Sequence, residues 1–197
     1  KKRPYNFSLY QDVPWQSSPL VKRRHRLTVT ERVDSKGNVL IPLDEQEVRE
    51  AAFKLKRAGV EAITIAFLNS FINPVHEQRA KAIVSAECPG VYICTSSEVL
   101  PQYREYERFS TAALNAYVGP KVSRYIHTLE KALKEYGITS ELHLMQSSGG
   151  TATVDASVNK PVTLLLSGPA AGLIGGTKIA ANAGYKSVIT LDIGGTS

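Results

Sequence analysis

Two glycine pairs follow apolar segments and could form loops that bind phosphate. MQSSGGT spans residues 145–151 and LDIGGTS spans residues 191–197. Glycine has no Cβ atom, so its backbone can turn sharply and bring N–H groups close to a phosphate. Asp192 precedes the second glycine pair, at the expected carboxyl end of a strand. An aspartate there could hold Mg²⁺, which favours a few carboxylates together with phosphate oxygens.

The D-x-G-G-T pattern of LDIGGTS is equally compatible with a tight turn between two strands that binds no ligand. It is not a Walker A loop, because no G-K-[ST] follows the glycines. It is not a Rossmann fingerprint either, because no G-x-G-x-x-G opens a helix after a strand. The pattern therefore points away from P-loop enzymes and dehydrogenases.

The net charge of +6 is concentrated at the amino terminus of the chain. Residues 1–26 contain seven Lys/Arg and one acidic residue, which leaves 17 basic and 17 acidic residues for the rest of the 197. A nucleic-acid-binding protein usually spreads its cations along a face among base-reading side chains. We therefore expect no nucleic-acid binding, and interpret residues 1–26 as a basic extended arm that is solvated or docks on an acidic partner.

The composition also bears on the membrane and on the cellular compartment. No stretch approaches the roughly 20 apolar residues of a membrane span, and KKRPYNFSLY lacks the apolar segment of a secretory signal. Cys88 and Cys94 form neither a disulfide framework nor a metal-binding spacing. These features predict a cytoplasmic protein that does not enter the membrane.

Strand-like and helix-like segments alternate along the chain, which predicts an α/β fold with a mainly parallel sheet and flanking helices. A β-hairpin is predicted around Gly37, followed by a helix that Asp44 and Glu47 begin with a capping-box-like pattern. A long helix is predicted over about 102–136, interrupted near Gly119 and Pro120. The other expected strands are EAITIAFLN, VYICT, ELHLMQ, VTLLLS and SVITLD, with helices roughly to Glu87 and in GPAAGLIGGTKIAANAG.

Several uncommon motifs occur in a fixed order along the chain. SSEVLPQYREYERFSTAALNAYVGP, MQSSGGT, LLLSGPAAGLIGG and LDIGGTS together resemble the hydantoinase A/5-oxoprolinase family, which also contains subunits of ATP-dependent acetone and acetophenone carboxylases. RVDSKGNVLIPLDE and FLNSFINPVHEQRA resemble the end of that family's N-terminal region. On this resemblance, residues 27–97 end the N-terminal region and residues 98–197 begin the hydantoinase A domain.

The resemblance implies an actin-like ATPase (ribonuclease H-like) fold, with two lobes around a cleft that binds ATP and Mg²⁺. It implies that the second phosphate loop is cut off at residue 197, that the first lies outside this chain, and that the chain is an inactive piece of a larger protein. Asp192 would be the metal ligand. The implied cofactor-binding residues are Asp192, Gly194, Gly195, Thr196 and Ser197 of the second loop, Ser148, Gly149 and Gly150 of a loop beside the cleft, and Ser167 and Gly168 at a small-residue turn.

The activity implied by the family is the ATP-dependent opening of a cyclic amide, with phosphorylation of the amide carbonyl oxygen before hydrolysis. The resemblance also implies a B-type subunit or domain as partner, and hence a hetero-oligomer. Two alternatives stay open: a subunit of an ATP-dependent ketone carboxylase, and an actin-like ATPase whose nucleotide only switches conformation. No catalytic residue is assigned.

Other chemically capable residues lie outside these loops. His76 and Glu77 could form an acid–base pair, although Glu77 at a helix start is more simply explained by the helix dipole. Arg104 and Arg108 belong to the REYERFST segment, which predicts either a salt-bridged surface helix or a cleft-lining role. His127, His143 and the two cysteines are interpreted as structural.

Overall fold

A computed structural model describes residues 19–194 of the chain. The described residues divide into two compact units, one that ends at Leu114 and one that begins at Asn115. In the described part of the chain there is no helix long and apolar enough to cross a membrane.

The first unit opens with the predicted hairpin. Strand β1 (Arg32–Val33) pairs antiparallel with β2 (Val39–Ile41). Gly37 has a φ of 87°, a left-handed conformation that glycine adopts without strain. The turn is held by Asp34, whose carboxylate accepts hydrogen bonds from the N–H groups of Lys36 and Asn38, both at 2.8 Å.

Helix α1 (Glu45–Arg57) begins at the predicted N-cap, Asp44, but only one of the two hydrogen bonds of a capping box forms. Asp44 accepts a hydrogen bond from the N–H of Glu47 at 3.0 Å, as expected for an N-cap. The Glu47 carboxylate does not return to residue 44 but accepts from the N–H of Thr30 at 2.6 Å. This bond ties the segment before β1 to the first turn of α1.

The core of the first unit is a β-α-β arrangement covered by α1. Strand β3 (Ala62–Ile65) and strand β4 (Tyr92–Thr95) are parallel, and α2 (Val75–Glu87) connects them. The buried apolar side chains come from α1, β3 and α2, and α1 packs on α2. They are Val48, Ala52, Ile63, Ile65, Ala80, Ile83, Val84 and Cys88.

A buried carboxylate joins α2 to the end of the two strands. Glu77 is fully buried, and its Oε1 accepts hydrogen bonds from the Phe67 N–H at 2.8 Å and from the Ser96 hydroxyl at 2.6 Å. Its Oε2 accepts from the N–H and the hydroxyl of Ser97, at 2.8 and 2.6 Å. The carboxylate thus receives four hydrogen bonds, which offset the cost of removing a charge from water.

A buried arginine extends this network to the next helices, α3 (Ser96–Val99) and α4 (Glu105–Glu135). The Arg108 side chain on α4 is fully buried and donates to the Ser96 hydroxyl at 3.2 Å. It also donates to the carbonyl oxygens of Gln102 and Phe67, each at 3.0 Å. Its guanidinium lies 5.2 Å from the ring centroid of Phe71, within the range of a cation–π contact.

The second unit contains a small antiparallel pair and two further helices. Strand β5 (His143–Met145) pairs with β6 (Thr151–Thr153), and α5 (Val154–Asn159) follows β6 directly. A short 3₁₀ turn at Pro161–Leu164 then leads to α6 (Ser167–Asn182). Asn115 fastens the 3₁₀ turn, because its amide oxygen accepts from the Val162 N–H at 3.1 Å.

The α/β class is confirmed, but the prediction of a mainly parallel sheet is wrong for the described residues. They form three separate two-stranded sheets, of which only β3–β4 is parallel. VTLLLS is part of the 3₁₀ turn and the segment after it, and SVITLD forms no strand. Ile189 and Leu191 of SVITLD are 99% and 82% exposed, so the apolar run lies against no sheet among the described residues.

The predicted interruption near Gly119 and Pro120 is also wrong. Helix α4 continues through Pro120 over 31 residues. A proline inside a helix removes one backbone hydrogen bond and crowds the preceding turn. In a helix of this length the remaining bonds and packed side chains, such as fully buried Ile126, maintain the conformation.

We predict that Glu77→Gln destabilises this chain by about 2–4 kcal/mol, because an amide cannot accept all four hydrogen bonds and leaves buried donors unpaired. Urea denaturation followed by circular dichroism measures the change. Glu61→Gln, at an exposed position, is the matched control and should stay within about 0.5 kcal/mol of the wild type. Equal stability of the two variants would contradict the structural role of Glu77.

Candidate functional site

The first glycine pair lies in the turn between β5 and β6. The Gln146 N–H donates to the Gly150 carbonyl at 2.8 Å, and the Gly149 N–H donates to the Gln146 carbonyl at 3.0 Å. These bonds close the loop and leave the side chains of Ser147 and Ser148 exposed. Two hydroxyl groups are therefore exposed beside a glycine backbone, and phosphate binding by this loop stays a prediction.

Gly149 lies in close contact with helix α6. Its φ is 88°, and a Cβ atom built at this position would lie 2.6 Å from Cδ1 of Ile174. Both the left-handed backbone and the short distance favour glycine at this position. The β5–β6 loop therefore packs against the helix whose start carries the next two predicted residues.

The same loop is hydrogen-bonded to the segment that leads into α6. The Ser147 N–H donates to the Thr163 carbonyl at 2.8 Å, and the Gln146 amide donates to the Thr163 hydroxyl at 3.2 Å. Thr163 was not predicted as a site residue, because nothing in its local sequence indicates a partner 17 positions away. It connects the MQSSGGT loop to the start of α6.

Helix α6 begins without a side-chain cap. The N-cap residue Leu166 has a φ of 61°, an uncommon left-handed conformation for a branched side chain, and it provides no capping hydrogen bond. Ser167 and Gly168 are the first two helical residues, and Pro169 has no N–H group. The helix dipole and the N–H groups of this first turn favour an anion.

The Asp192 loop is described only in part. Asp192 and Gly194 are exposed, whereas the predicted site residues Gly195, Thr196 and Ser197 lie outside the described residues. The segment before Asp192 passes along α6, because a Cβ atom on Gly176 would lie 3.2 Å from Cγ2 of Thr190. The MQSSGGT loop and Thr190, two positions before Asp192, thus both lie against α6.

These residues fit a phosphate better than they fit an enclosed metal. Exposed serine hydroxyls and an uncapped helix start are suitable donors for phosphate oxygens, whereas the N–H groups of Ser147 and Gly149 already donate to carbonyl oxygens of the chain. Among residues 19–194, no group of three or more His, Cys, Asp or Glu side chains could hold a metal ion. Asp192 offers a single exposed carboxylate. One carboxylate is enough for Mg²⁺, because this ion usually keeps water molecules and phosphate oxygens as its other ligands.

His76 and the two cysteines have structural surroundings, whereas His127 on α4 and His143 are exposed. The buried His76 pairs with Glu31 through Nδ1 and Oε2 at 2.8 Å. Burial raises the pKa of the Cys88 thiol, which disfavours the reactive thiolate. The buried Cys94 lies 3.6 Å from the Ala112 carbonyl oxygen, to which its thiol donates. His143 is an exposed residue at the start of β5.

The two arginines of REYERFST have different surroundings. Arg104 lies just before α4, is exposed and has a φ of 82°. It is not a helical residue, but its carbonyl accepts from the Arg108 N–H at 3.1 Å. Arg108 is buried in the Glu77 network, so the interpretation of the segment as a salt-bridged surface helix is wrong for this residue.

Family models and relatives place the chain in a known family. The Hydantoinase/oxoprolinase model matches residues 108–197, and the Hydantoinase/oxoprolinase N-terminal region model matches residues 1–88. The caprolactamase subunit alpha of Pseudomonas jessenii is 39% identical over 178 residues, which cover 90% of this chain and 26% of that protein. The 5-oxoprolinase of Saccharomyces cerevisiae is 32% identical over 155 residues, covering 78% of this chain and 12% of that protein.

Two solved structures resemble the chain. The ATP-dependent caprolactamase from Pseudomonas jessenii superposes with a TM-score of 0.83 at 35% identity, over 99% of this chain and 28% of that chain. Nucleotide-free acetone carboxylase superposes with a TM-score of 0.78 at 31% identity, over 88% of this chain and 25% of that chain. This chain therefore spans about a quarter of the length of the matching chain in either structure.

The two solved structures that the chain resembles belong to larger proteins, an ATP-dependent caprolactamase and an acetone carboxylase studied for ATP-dependent carboxylation. The chain belongs to the hydantoinase/oxoprolinase family, as its motifs indicate.

We predict that Gly149→Ala destabilises the chain by about 1–2 kcal/mol, because alanine adopts a positive φ only with strain. Gly150→Ala is the control, since its Cβ atom would meet nothing closer than 3.8 Å. Urea denaturation measures both variants. Adding Ile174→Ala to Gly149→Ala should recover only part of the loss, since it relieves the clash and not the backbone strain; full recovery would show that the clash alone disfavours alanine.

Proposed function

We propose that this chain is part of the A-type subunit of an ATP-dependent enzyme that opens cyclic amides by hydrolysis. The observation that carries the proposal is the similarity to ATP-dependent caprolactamase over 99% of the chain at 35% identity. The arrangement of the MQSSGGT loop, the start of α6 and Thr163 supports a phosphate-binding role. Nothing in this proposal requires the isolated chain to be active.

The chemistry follows from the stability of the amide bond. Resonance protects the carbonyl carbon of a cyclic amide from water, and transfer of a phosphoryl group from ATP to the carbonyl oxygen would remove that protection. The part of this chain would be to position phosphate oxygens with the first turn of α6 and the hydroxyls of Ser147 and Ser148. Asp192 would hold Mg²⁺ near those oxygens.

Several finer features belong to the same proposal. The complete protein would have an actin-like fold with a cleft between two lobes, in which Asp192 and Gly194 to Ser197 form the second phosphate loop. Residues 27–97 would be the end of the N-terminal region and residues 98–197 the start of the hydantoinase A domain. The predicted basic arm, residues 1–26, lies for its first 18 positions outside the described residues. A B-type subunit would complete a cytoplasmic hetero-oligomer.

A second candidate is a subunit of an ATP-dependent ketone carboxylase. The similarity to acetone carboxylase, with a TM-score of 0.78 at 31% identity, favours it. Here an enol oxygen would be the phosphoryl acceptor and activated bicarbonate the electrophile. The phosphate-binding residues of this chain would have the same part in both reactions.

A substrate panel separates these candidates. The full-length protein, co-purified with its partner subunit, is assayed for ATP hydrolysis with caprolactam, hydantoin, 5-oxoproline, or acetone and bicarbonate. We expect a cyclic amide to stimulate hydrolysis and to be opened. Stimulation by acetone with bicarbonate alone would support the carboxylase. ATP hydrolysis that is indifferent to every substrate would rule out both and favour an actin-like ATPase that only switches conformation.

We predict that Asp192→Asn lowers the substrate-stimulated turnover of the full-length enzyme at least about tenfold, because the neutral amide binds Mg²⁺ less well. The loss should shrink as the Mg²⁺ concentration is raised. Asp155→Asn removes another exposed carboxylate of the second unit and should leave turnover unchanged. Turnover of the Asp192 variant equal to that of this control would exclude Asp192 from the site.

A further inference from the structure

The structure presents a compact group of cations at the start of its described part, here termed the basic turn. It consists of Lys22, Arg23, Arg24 and Arg26, all of which are exposed. Residues 23–25 form a 3₁₀ turn, in which the His25 N–H donates to the Lys22 carbonyl at 3.0 Å and the Arg26 N–H donates to the Arg23 carbonyl at 3.1 Å. The cations are therefore held together by backbone hydrogen bonds.

The basic turn has no counter-charge in the described part of the chain. None of its four side chains forms an ion pair there. The sequence contains no Asp or Glu between Asp12 and Glu31. Glu31 is engaged with His76 at 2.8 Å, and Glu47 accepts from the Thr30 N–H. Four neighbouring like charges repel one another, so an anion that binds across them gains from several charges at once.

The surroundings of the basic turn indicate which anion it fits. Leu20 and Leu27 flank it and are 62% and 40% exposed, so apolar and cationic surface lie side by side. Arginine side chains can hold carboxylates with two parallel hydrogen bonds each. No Phe, Tyr or Trp occurs from position 19 to position 52, and the one ring of the turn, that of His25, is half-buried and accepts a hydrogen bond from Arg24 Nε at 3.1 Å. The residues after position 26 contain 17 basic and 17 acidic side chains, so the turn does not continue into the extended cationic face that a nucleic acid would need.

We propose that the basic turn is a docking surface for a carboxylate-rich segment of a partner polypeptide, with Arg23, Arg24 and Arg26 as its main contacts. The acidic side chains pair with the guanidinium groups, and apolar side chains of the same segment cover Leu20 and Leu27. Such a surface determines orientation and speeds association, because charge complementarity acts before contact is made. It does not depend on ATP chemistry, so it can be tested apart from the proposed activity.

The test measures binding of labelled probes to the full-length protein by fluorescence anisotropy. The probes are an oligoglutamate peptide with interspersed leucines, an oligodeoxythymidine of equal charge and phosphatidylserine vesicles. The triple variant R23Q/R24Q/R26Q is compared with K36Q/K54Q/R57Q, which removes three exposed cations of the same unit. Unchanged circular dichroism spectra and melting midpoints confirm that each variant is folded.

We expect the acidic peptide to bind the wild type, and the basic-turn variant to bind it at least about tenfold more weakly. The control variant should bind within about twofold of the wild type, and raising the salt from about 50 to about 200 mM should weaken wild-type binding. Equal loss in both triple variants would overturn the proposal. Tighter binding of the oligonucleotide or the vesicles than of the peptide would also overturn it and assign the surface to that other partner.

Discussion

The need to satisfy one buried carboxylate organises the first unit. Glu77 receives four hydrogen bonds from Phe67, Ser96 and Ser97, and a charge without these donors would be costly at a fully buried position. Because the donors lie after β3 and at the start of α3, the carboxylate determines how α2 meets the ends of both strands. Ser96 also accepts from Arg108, so the first turns of α4 depend on the same group.

The elements that were predicted correctly depend on local signals. The hairpin at Gly37 and the start of α1 at Asp44 follow from residues within a few positions of each other. The role of Glu77 does not, because its partners lie 10 to 20 positions away, and a glutamate at a helix start has a simpler local explanation. The burial of Arg108 was not predicted for the same reason, because the charged residues of REYERFST do not indicate which of them lies in the core.

In the second unit, the errors arise from apolar runs. An apolar run indicates burial in the complete protein, but it does not distinguish a strand from other buried backbone. VTLLLS lies in the 3₁₀ turn and the segment after it, and this turn is held by hydrogen bonds from Val162 to Asn115 and from Ser147 to Thr163 that the local sequence does not show. For the candidate site, glycine patterns predicted the loop at Gly149, whereas its contact with Ile174 required the fold.

The two units differ in how their polar groups are satisfied, and this difference bears on function. In the first unit, buried charges such as Glu77 and Arg108 are fully paired by the chain itself. In the second, Ser147 and Ser148 are exposed, α6 begins without a cap, and α6 contains no buried residue. Exposed hydroxyl groups and an uncapped helix start are groups that phosphate oxygens can engage, and the proposed phosphate-binding role rests on them.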